Sequence, residues 1–389
     1  MTEAKGQEPI EFLKSKNNLF RDWLECRGQV CEIEDLRVSL NKAPPPLAHP
    51  SPRLPAPAPN KQAKPDLRTE ILGAFSKVAE TKRAFFDWLE NPSPPRSPAP
   101  PVSPVSRVPP FDIQEVPKAM DKLSMPMSAK SQRRCFAGYE NYSRSRDDLR
   151  NEIDQNGARY ARAMVDDTTI KMDWVLRFPR AKEAFDALVR EGVRGQTAIN
   201  NLKKALTPYR HRRDVLAWNE ANSDFLEFHR SFQFQRQVVN STWGQRISSF
   251  LDRSLTAEGV PDDLTGALGS FNFYAAVDYA RFDRQKNEAI VSHLWVYVRD
   301  PYEFSDDQYL GHWNASHVAV VPAHQLARGK GWLQYPVVQG DVYAKDSALY
   351  PVTNKDYRDW RTRHQQGGDY MIYTDRLAAR VNPPLRVPL

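Results

Sequence analysis

Four carboxylates and a histidine are concentrated in one short segment of the chain, which reads RDPYEFSDDQYLGHWN over residues 299–314. They are Asp300, Glu303, Asp306, Asp307 and His312. Oxygen ligands of this kind bind hard divalent cations, and a carboxylate or an imidazole can act as a general acid or base. The segment therefore indicates a metal-assisted site. The competing interpretation is an acidic turn that ends a hairpin, with Tyr302 and Phe304 packed inward.

Other familiar catalytic motifs are absent from the sequence. It contains no glycine-rich phosphate loop, no Gly-x-Ser-x-Gly elbow and no His-Glu-x-x-His pair. The three cysteines, Cys26, Cys31 and Cys135, form no disulfide framework and have no paired metal-ligand spacing. The acidic segment is therefore the main candidate for chemistry.

The formal net charge of +7 suits attraction to phosphate groups, but a basic balance is also compatible with a merely soluble surface. The densest basic cluster is Tyr209-Arg-His-Arg-Arg213, and aromatic residues do not alternate with its arginines. A stacking platform for bases would need such aromatic residues. Nucleic acid is therefore not favoured as a partner.

The start of the chain lacks the basic residues and apolar core of a secretory signal, and no stretch of 18 apolar residues follows. We expect a protein made in the cytoplasm without a signal peptide. If it acts outside its own cell, a secretion machine that does not read signal peptides must carry it.

Two segments near the N-terminus end in the same pattern, Phe-x-Asp-Trp-Leu-Glu. Residues 12–25 and 75–90 both space their apolar residues as on one helical face. Short isolated helices are marginal in water, so each should lay its apolar side into a groove on a partner. The expected docking residues are Phe20, Trp23, Leu24, Phe85, Trp88 and Leu89. The alternative is that both helices pack back on the folded region.

Eighteen of the 31 prolines fall in two stretches, Pro44–Pro65 and Pro92–Pro110, which predict extended, semi-rigid linkers. The predicted order is a docking segment at 1–40, a linker at 41–66, a second docking segment at 67–91, a linker at 92–110, a helical domain at 111–265 and a final domain at 266–389.

The hydrophobic period changes within the folded region. Residues 111–265 have mainly helical spacing, whereas residues 271–279 and 290–298 alternate as two strands around a turn at 284–287. Helices followed by an antiparallel sheet predict an α+β fold, and residues 266–389 form its sheet-bearing part.

Residues 111–389 resemble a proteobacterial family found beside type VI secretion genes. The resemblance rests on four strings, FDIQEVPKAM from 111, WVLRFPRAK from 174, GSFNFYAAV from 269 and YLGHWN from 309. It implies an antibacterial type VI effector or cargo, delivered to the periplasm of a target cell and neutralised in the producer by an immunity protein. The docking segments would then bind a component of the secretion apparatus or an adaptor.

A narrower resemblance concerns the hairpin that leads into Asp300-x-Tyr302-Glu303, with His312 downstream. It is similar to the catalytic pattern of colicin M-type bacteriocins, which use a divalent metal to cleave lipid II between the polyprenyl chain and the pyrophosphate. Glu303 stands where that family has a second aspartate, Trp313 stands where it has arginine, and the spacing to His312 is three residues longer.

The colicin M-type resemblance implies a role for each residue. Asp300 and Glu303 would hold Mg²⁺ or activate water, and Arg299 would help the cation to neutralise phosphate charge. His312 would shuttle a proton, and Tyr302 would donate a hydrogen bond to a phosphate oxygen. The sequence leaves a second reading open, a non-enzymatic secretion adaptor or cargo that acts through its docking helices.

Overall fold

The computed structural model describes residues 10–15, 23–33, 38–49, 106–108, 111–240, 261–319, 337–339 and 348–389. For the strands at 10–15, 23–33, 106–108 and 337–339 the description covers the backbone. The helices lie mostly in the first half of residues 111–389, and long strands follow them. The prediction of an α+β fold is confirmed.

Ten α-helices are found in the described residues, and none exceeds 12 residues. They are α1 (Val116–Lys122), α2 (Pro126–Ala137), α3 (Arg146–Asn151), α4 (Met172–Val175), α5 (Pro179–Arg190), α6 (Gln196–Leu206), α7 (Ala217–Glu220), α8 (Phe225–Phe232), α9 (Asp263–Leu268) and α10 (Asn354–His364). Pro179 is the first residue of α5. Proline is well tolerated there, because the N–H group that it lacks would have no hydrogen-bond partner within the helix. None of the helices in these ranges is long and apolar enough to span a lipid bilayer.

The described residues also contain short and long β-strands. They are β1 (Ile10–Ser15), β2 (Trp23–Ile33), β3 (Ser106–Val108), β4 (Val165–Asp166), β5 (Asp214–Leu216), β6 (Gln233–Val239), β7 (Phe271–Asp283), β8 (Glu288–Tyr302), β9 (Tyr309–Trp313), β10 (Val318–Ala319), β11 (Val337–Gln339), β12 (Ala348–Thr353), β13 (Tyr370–Tyr373) and β14 (Leu377–Pro388).

The central sheet is built on the long antiparallel hairpin β7–β8, as the alternating pattern predicts. Both β5 and β6 pair with the free edge of β7, whereas β13 and β14 pair with the free edge of β8. The short strand β4 adds to β13 in parallel. The end of β8 around Asp300 therefore pairs with β13, whereas the earlier part of β8 pairs with β7 and β14.

One face of this sheet is covered by α5 and α6, which contact β6, β7 and β14. Their apolar stripes include Leu188 on α5 and Leu202 on α6, both completely buried. The other elements extend the same hydrophobic core, because α2 packs on α9 and its Phe136 contacts Trp360 of α10.

A second sheet has the strand order β10-β9-β12-β11-β1-β2-β3. Strand β12 continues directly into α10, and Thr353 and Asp356 cap that helix reciprocally.

The first predicted docking helix, over residues 12–25, is wrong for the residues that the structure describes. Strand β1 pairs with β11 in parallel and with β2 in the antiparallel sense. The spacing of the apolar residues Leu13, Trp23 and Leu24 gives only a local preference for a helix. Strand pairing outweighs it, because it provides hydrogen-bond partners for the backbone N–H and C=O groups from residues far away in the sequence. The second predicted docking helix, at 67–91, lies outside the described residues.

Residues 38–49, which include the start of the first proline-rich stretch, lie against the folded region. The N–H of Ser39 donates to the carbonyl of Phe111 at 2.7 Å, and the amide of Gln366 donates to the carbonyl of Pro45 at 2.7 Å. His364 Nε2 is 2.8 Å from the carbonyl oxygen of Leu40. These hydrogen bonds attach this segment to α10 and the loop after it.

Candidate functional site

The end of β8 is fixed by its pairing with β13. Asp300 lies opposite Ile372, and Tyr302 lies opposite Tyr370. Because side chains alternate along a strand, Arg299 leaves β8 on the face opposite to that of Asp300 and Tyr302. The sheet therefore separates two side chains that are adjacent in the sequence.

Arg299 is committed to a buried ion pair. Its Nη2 donates to Glu152 Oε1 at 3.0 Å, and its Nε donates to the hydroxyl of Tyr373 at 2.9 Å. That hydroxyl in turn donates to Glu152 Oε1 at 2.5 Å. The guanidinium therefore already has a carboxylate partner on the other face of the sheet, and its predicted contact with a phosphate stays a prediction.

His229 lies beside this ion pair on the same face. Its Nδ1 is 2.9 Å from the hydroxyl of Tyr297, and its ring meets the ring of Tyr274 edge-on. Burial, together with the positive charges of Arg299 and Arg230, lowers the pKa of His229 from 6.5 to about 3. His229 is therefore a neutral, structural histidine at physiological pH.

The aromatic residues of the acidic segment pack inward, as the competing interpretation expects. Tyr302 stacks on Tyr370, with ring centroids 5.1 Å apart, and meets Phe304 edge-on. Phe304 is buried and stacks on Tyr357 at 4.0 Å. Burial raises the pKa of Tyr302 well above its ordinary value. Tyr302 is thus part of an aromatic cluster at the end of β8.

The following aspartates stabilise the turn after β8. Asp307 pairs with Arg358 of α10, and Asp306 accepts a hydrogen bond from the amide of Asn354. Arg358 also donates to the carbonyl of Phe304 at 2.9 Å. Both carboxylates therefore connect the turn to α10.

Asp300 and Glu303 are different, because neither carboxylate has a hydrogen bond or ion pair within the part of the chain that the structure describes. Asp300 is half-buried. Burial and then the negative charge of Glu303 raise the pKa of Asp300 well above 3.8, and Arg299 opposes this effect. Neither carboxylate is therefore neutralised by a direct hydrogen bond or ion pair within the described residues.

A third carboxylate, Asp369, belongs to the same electrostatic group and was missed by sequence reasoning. It is 4% exposed and accepts a hydrogen bond from Arg361 Nη1 at 3.0 Å. Burial raises its pKa to about 7, Arg361 opposes the rise, and the charge of Glu303 adds to it.

The sequence does contain a signal for Asp369, the pair Gly367-Gly368 directly before it. A Cβ on Gly368 would lie 2.6 Å from the carbonyl oxygen of Tyr139, and Gly367 has a φ of +101°. Two glycines of this kind indicate close backbone approach and a turn that places the next side chain.

His312 is not brought to these carboxylates. It is completely buried in β9, which belongs to the second sheet, and its Nδ1 is 2.5 Å from the hydroxyl of Tyr309. No hydrogen bond or ion pair joins it to Asp300 or Glu303. The strand pairing of β9 with β12 places His312 in the second sheet, and its role as a proton shuttle stays a prediction.

No group of three or more histidine, cysteine or carboxylate side chains with metal-binding geometry occurs in the described residues. Asp300 and Glu303 still fit Mg²⁺ in one respect, because they are two unpaired carboxylates whose mutual repulsion a divalent cation would relieve. Mg²⁺ commonly takes one or two protein carboxylates and completes its octahedron with water and substrate phosphates.

The expected docking residues are only partly described. Trp23 and Leu24 lie in β2, where the backbone is extended, while Phe20, Phe85, Trp88 and Leu89 lie outside the described residues. The docking function of the six residues stays a prediction.

Comparison with known proteins adds a family assignment. No curated protein and no solved structure matches the chain. A family model described as a family of unknown function (DUF6402) matches residues 111–389. The matched range covers all the helices described above and the whole central sheet, and it extends over more than half of the chain. The chain therefore belongs to the DUF6402 family.

Proposed function

We propose that this protein is an antibacterial effector of a type VI secretion system and that its α+β region hydrolyses lipid II between the polyprenyl chain and the pyrophosphate. The four strings between residues 111 and 314 support the secretion assignment, and the hairpin leading into Asp300-x-Tyr302-Glu303 supports the activity. Delivery places the enzyme in the target-cell periplasm, and an immunity protein protects the producing cell.

The observation that carries the proposal is the coupled pair Asp300 and Glu303. Their neighbours Arg299, Asp306 and Asp307 all have partners in the fold. Two carboxylates without a counterion are an unfavourable arrangement for stability, and such arrangements are concentrated at functional sites. An ordinary turn has no need of them.

The reaction consumes one water molecule, whose hydroxyl group stays with one product and whose proton passes to the other. Asp300 and Glu303 would hold Mg²⁺, which supplies Lewis-acid stabilisation of phosphate charge when it is bound. Asp369, which is buried and accepts a hydrogen bond from Arg361, is a second candidate acid and base beside His312. Arg361 donates to the Asp369 carboxylate and positions it.

The decisive experiment compares toxicity and chemistry in matched variants. The wild type, Asp300→Asn and Glu303→Gln are each expressed in the cytoplasm or exported to the periplasm. Asp307→Asn is the control, because it removes the same charge from the exposed part of the same turn. We expect toxicity only after export, loss of toxicity in both site variants, and full toxicity in the control.

Purified proteins then give the chemical readout. Cleavage of lipid II should fall by about 10²-fold or more in the site variants and should require added Mg²⁺. Equal toxicity of the wild type and Asp300→Asn, in folded proteins, would reject the catalytic assignment. Toxicity in the cytoplasm alone would indicate another toxin activity.

The second candidate function is a non-enzymatic adaptor or cargo. It is favoured by the inward packing of Tyr302 and Phe304, which is what a purely structural acidic turn requires. Binding would then depend on Phe20, Trp23, Leu24, Phe85, Trp88 and Leu89. Trp23→Ala combined with Trp88→Ala should abolish pull-down of a secretion-apparatus component. Such a protein would be toxic in neither compartment.

A further inference from the structure

A basic hollow lies at the turn of the β7–β8 hairpin, near the end of β8 that is remote from Asp300. The N–H of Phe282 donates to the carbonyl of Arg213 at 2.9 Å, and Arg281 lies opposite Asp214 of β5. These contacts bring the densest basic cluster of the sequence, residues 210–213, against the arginines of the hairpin turn. Sequence separation had concealed this combination.

The hollow has a volume of about 530 Å³ and is partly open to solvent. Its lining residues are Arg213, Arg281, Phe282, Asp283 and Arg284. This volume lies within the range of small-molecule sites, roughly 300–1,000 Å³. The hollow is therefore large enough for a compact ligand.

The arginines of the hollow lack the counterions that other arginines of this region have. Arg213 and Arg281 are exposed and make no side-chain hydrogen bond or ion pair within the described part of the chain. Arg284 donates from one nitrogen to the carbonyl of His211, which leaves its other N–H groups available. By contrast, Arg212 pairs with Glu220 just outside the lining.

The single acidic residue of the lining is used by the turn itself. Asp283 Oδ1 accepts the N–H groups of Gln285 at 3.0 Å and Lys286 at 3.2 Å. Its charge offsets only one of the three guanidinium groups. Like charges brought together in this way repel one another, and a bound anion would relieve that repulsion.

We propose that this hollow binds a small anion that carries one or two phosphate groups. The planar guanidinium fork donates two parallel N–H bonds to phosphate oxygens, and this geometry makes arginine the preferred phosphate ligand. The guanidinium groups of three arginines around one hollow can donate hydrogen bonds to several oxygens of a phosphate or a diphosphate. The proposal does not rest on the lipid II activity, because the hollow and Asp300 lie toward opposite ends of the 15-residue strand β8.

A small anion fits better than nucleic acid or a membrane surface. Acidic side chains interrupt the positive surface around the hollow, namely Asp214, Glu220 and Glu288. A polyanion needs a continuous basic track. Phe282 is only 7% exposed, so it offers no face on which a base could stack.

The test is isothermal titration of the full chain with inorganic phosphate and inorganic pyrophosphate, at low and at physiological salt. We expect both to bind, with pyrophosphate the tighter ligand. Arg281→Gln combined with Arg284→Gln should weaken binding at least about tenfold, since hydrogen bonds to charged groups contribute that much or more. Arg281→Lys keeps the charge but removes the fork, and it should lose part of the affinity.

The matched control is Arg144→Gln combined with Arg146→Gln, which removes the same two charges from exposed arginines elsewhere. It should leave the affinity unchanged. Equal weakening in the control, or no weakening in the hollow variant, would overturn the proposal. So would binding to phosphatidylglycerol vesicles or duplex DNA without binding of either inorganic anion.

Discussion

Arg299 and Glu152 form an ion pair in which Nη2 and Oε1 are 3.0 Å apart and the two side chains are 7% and 3% exposed. Glu152 directly follows α3, in the left-handed region with a φ of +54°. The pair therefore fastens the end of a short helix to the central strand β8. It explains why an arginine adjacent to Asp300 belongs to the fold.

Glu152→Gln should destabilise the protein strongly, by about 3–5 kcal/mol, because it leaves the Arg299 charge buried and unpaired. Urea unfolding measures the loss. The control is Asp147→Asn, which breaks the exposed pair Arg150–Asp147 and should cost no more than about 1 kcal/mol. Similar losses in the two variants would contradict the buried-pair assignment.

Asp300→Asn should stabilise the fold at pH 7 by about 0.5–2 kcal/mol while abolishing activity, because it removes an unfavourable charge. The folded state raises the pKa of Asp300, so the stability from its protonated form is complete below about pH 4 and is lost as the pH rises. The gain should therefore disappear in acid. A variant that is less stable than the wild type at pH 7 would show that the carboxylate has a structural partner.

Asp369 should make folding stability fall as the pH rises from about 4 to about 7. Its pKa is raised from 3.8 to about 7 in the folded state, so the folded protein holds a proton that the unfolded chain has already lost. The slope is at most about 1.4 kcal/mol per pH unit. Subtracting the curve of Asp369→Asn from that of the wild type isolates this contribution, and Asp173→Asn, at an exposed site, is the control.

His229 should have the opposite effect on the pH dependence of stability. Its pKa falls from 6.5 to about 3 on folding, so the unfolded chain takes up a proton first and stability is lost as the pH drops below about 6.5. His229→Asn should remove this loss, and chemical denaturation at pH 7 and pH 4.5 measures it. The control is His293→Asn, which removes a histidine at an exposed position.

His312→Ala should destabilise the protein by about 1–3 kcal/mol, because the side chain is fully buried and lies against Tyr309. His317→Ala, at an exposed site between β9 and β10, should change stability by no more than about 0.5 kcal/mol. Thermal melting and lipid II cleavage are measured together. A His312→Ala protein of normal stability that has lost activity would restore this histidine as the proton shuttle.

The sequence by itself determined the order of the elements within residues 111–389. Alternating residues specified the β7–β8 hairpin, because a strand exposes every second side chain to the core. Pro179 lies in the first turn of α5, and Thr353 and Asp356 cap the start of α10. Alternation and helix capping depend on residues that are close together in the chain. They can therefore be recognised in the sequence without knowledge of the tertiary structure.

The sequence also singled out the acidic segment and identified Asp300 and Glu303 within it. It could not separate them from Arg299, Asp306 and Asp307, whose partners Glu152, Asn354 and Arg358 come from distant positions. The sequence also could not predict the strands at residues 10–15 and 23–33. There, the pairing of β1 with β11 and with β2 outweighs the helical spacing of the apolar residues.

Only the tertiary structure decided which charges meet. It buried Asp369 against Arg361, placed His312 in another sheet, and brought Arg213, Arg281 and Arg284 around one hollow. Each of these outcomes depends on strand pairing between segments that are far apart in the sequence. Electrostatic interactions depend on distance in space and on burial, and neither quantity exists until the chain has folded.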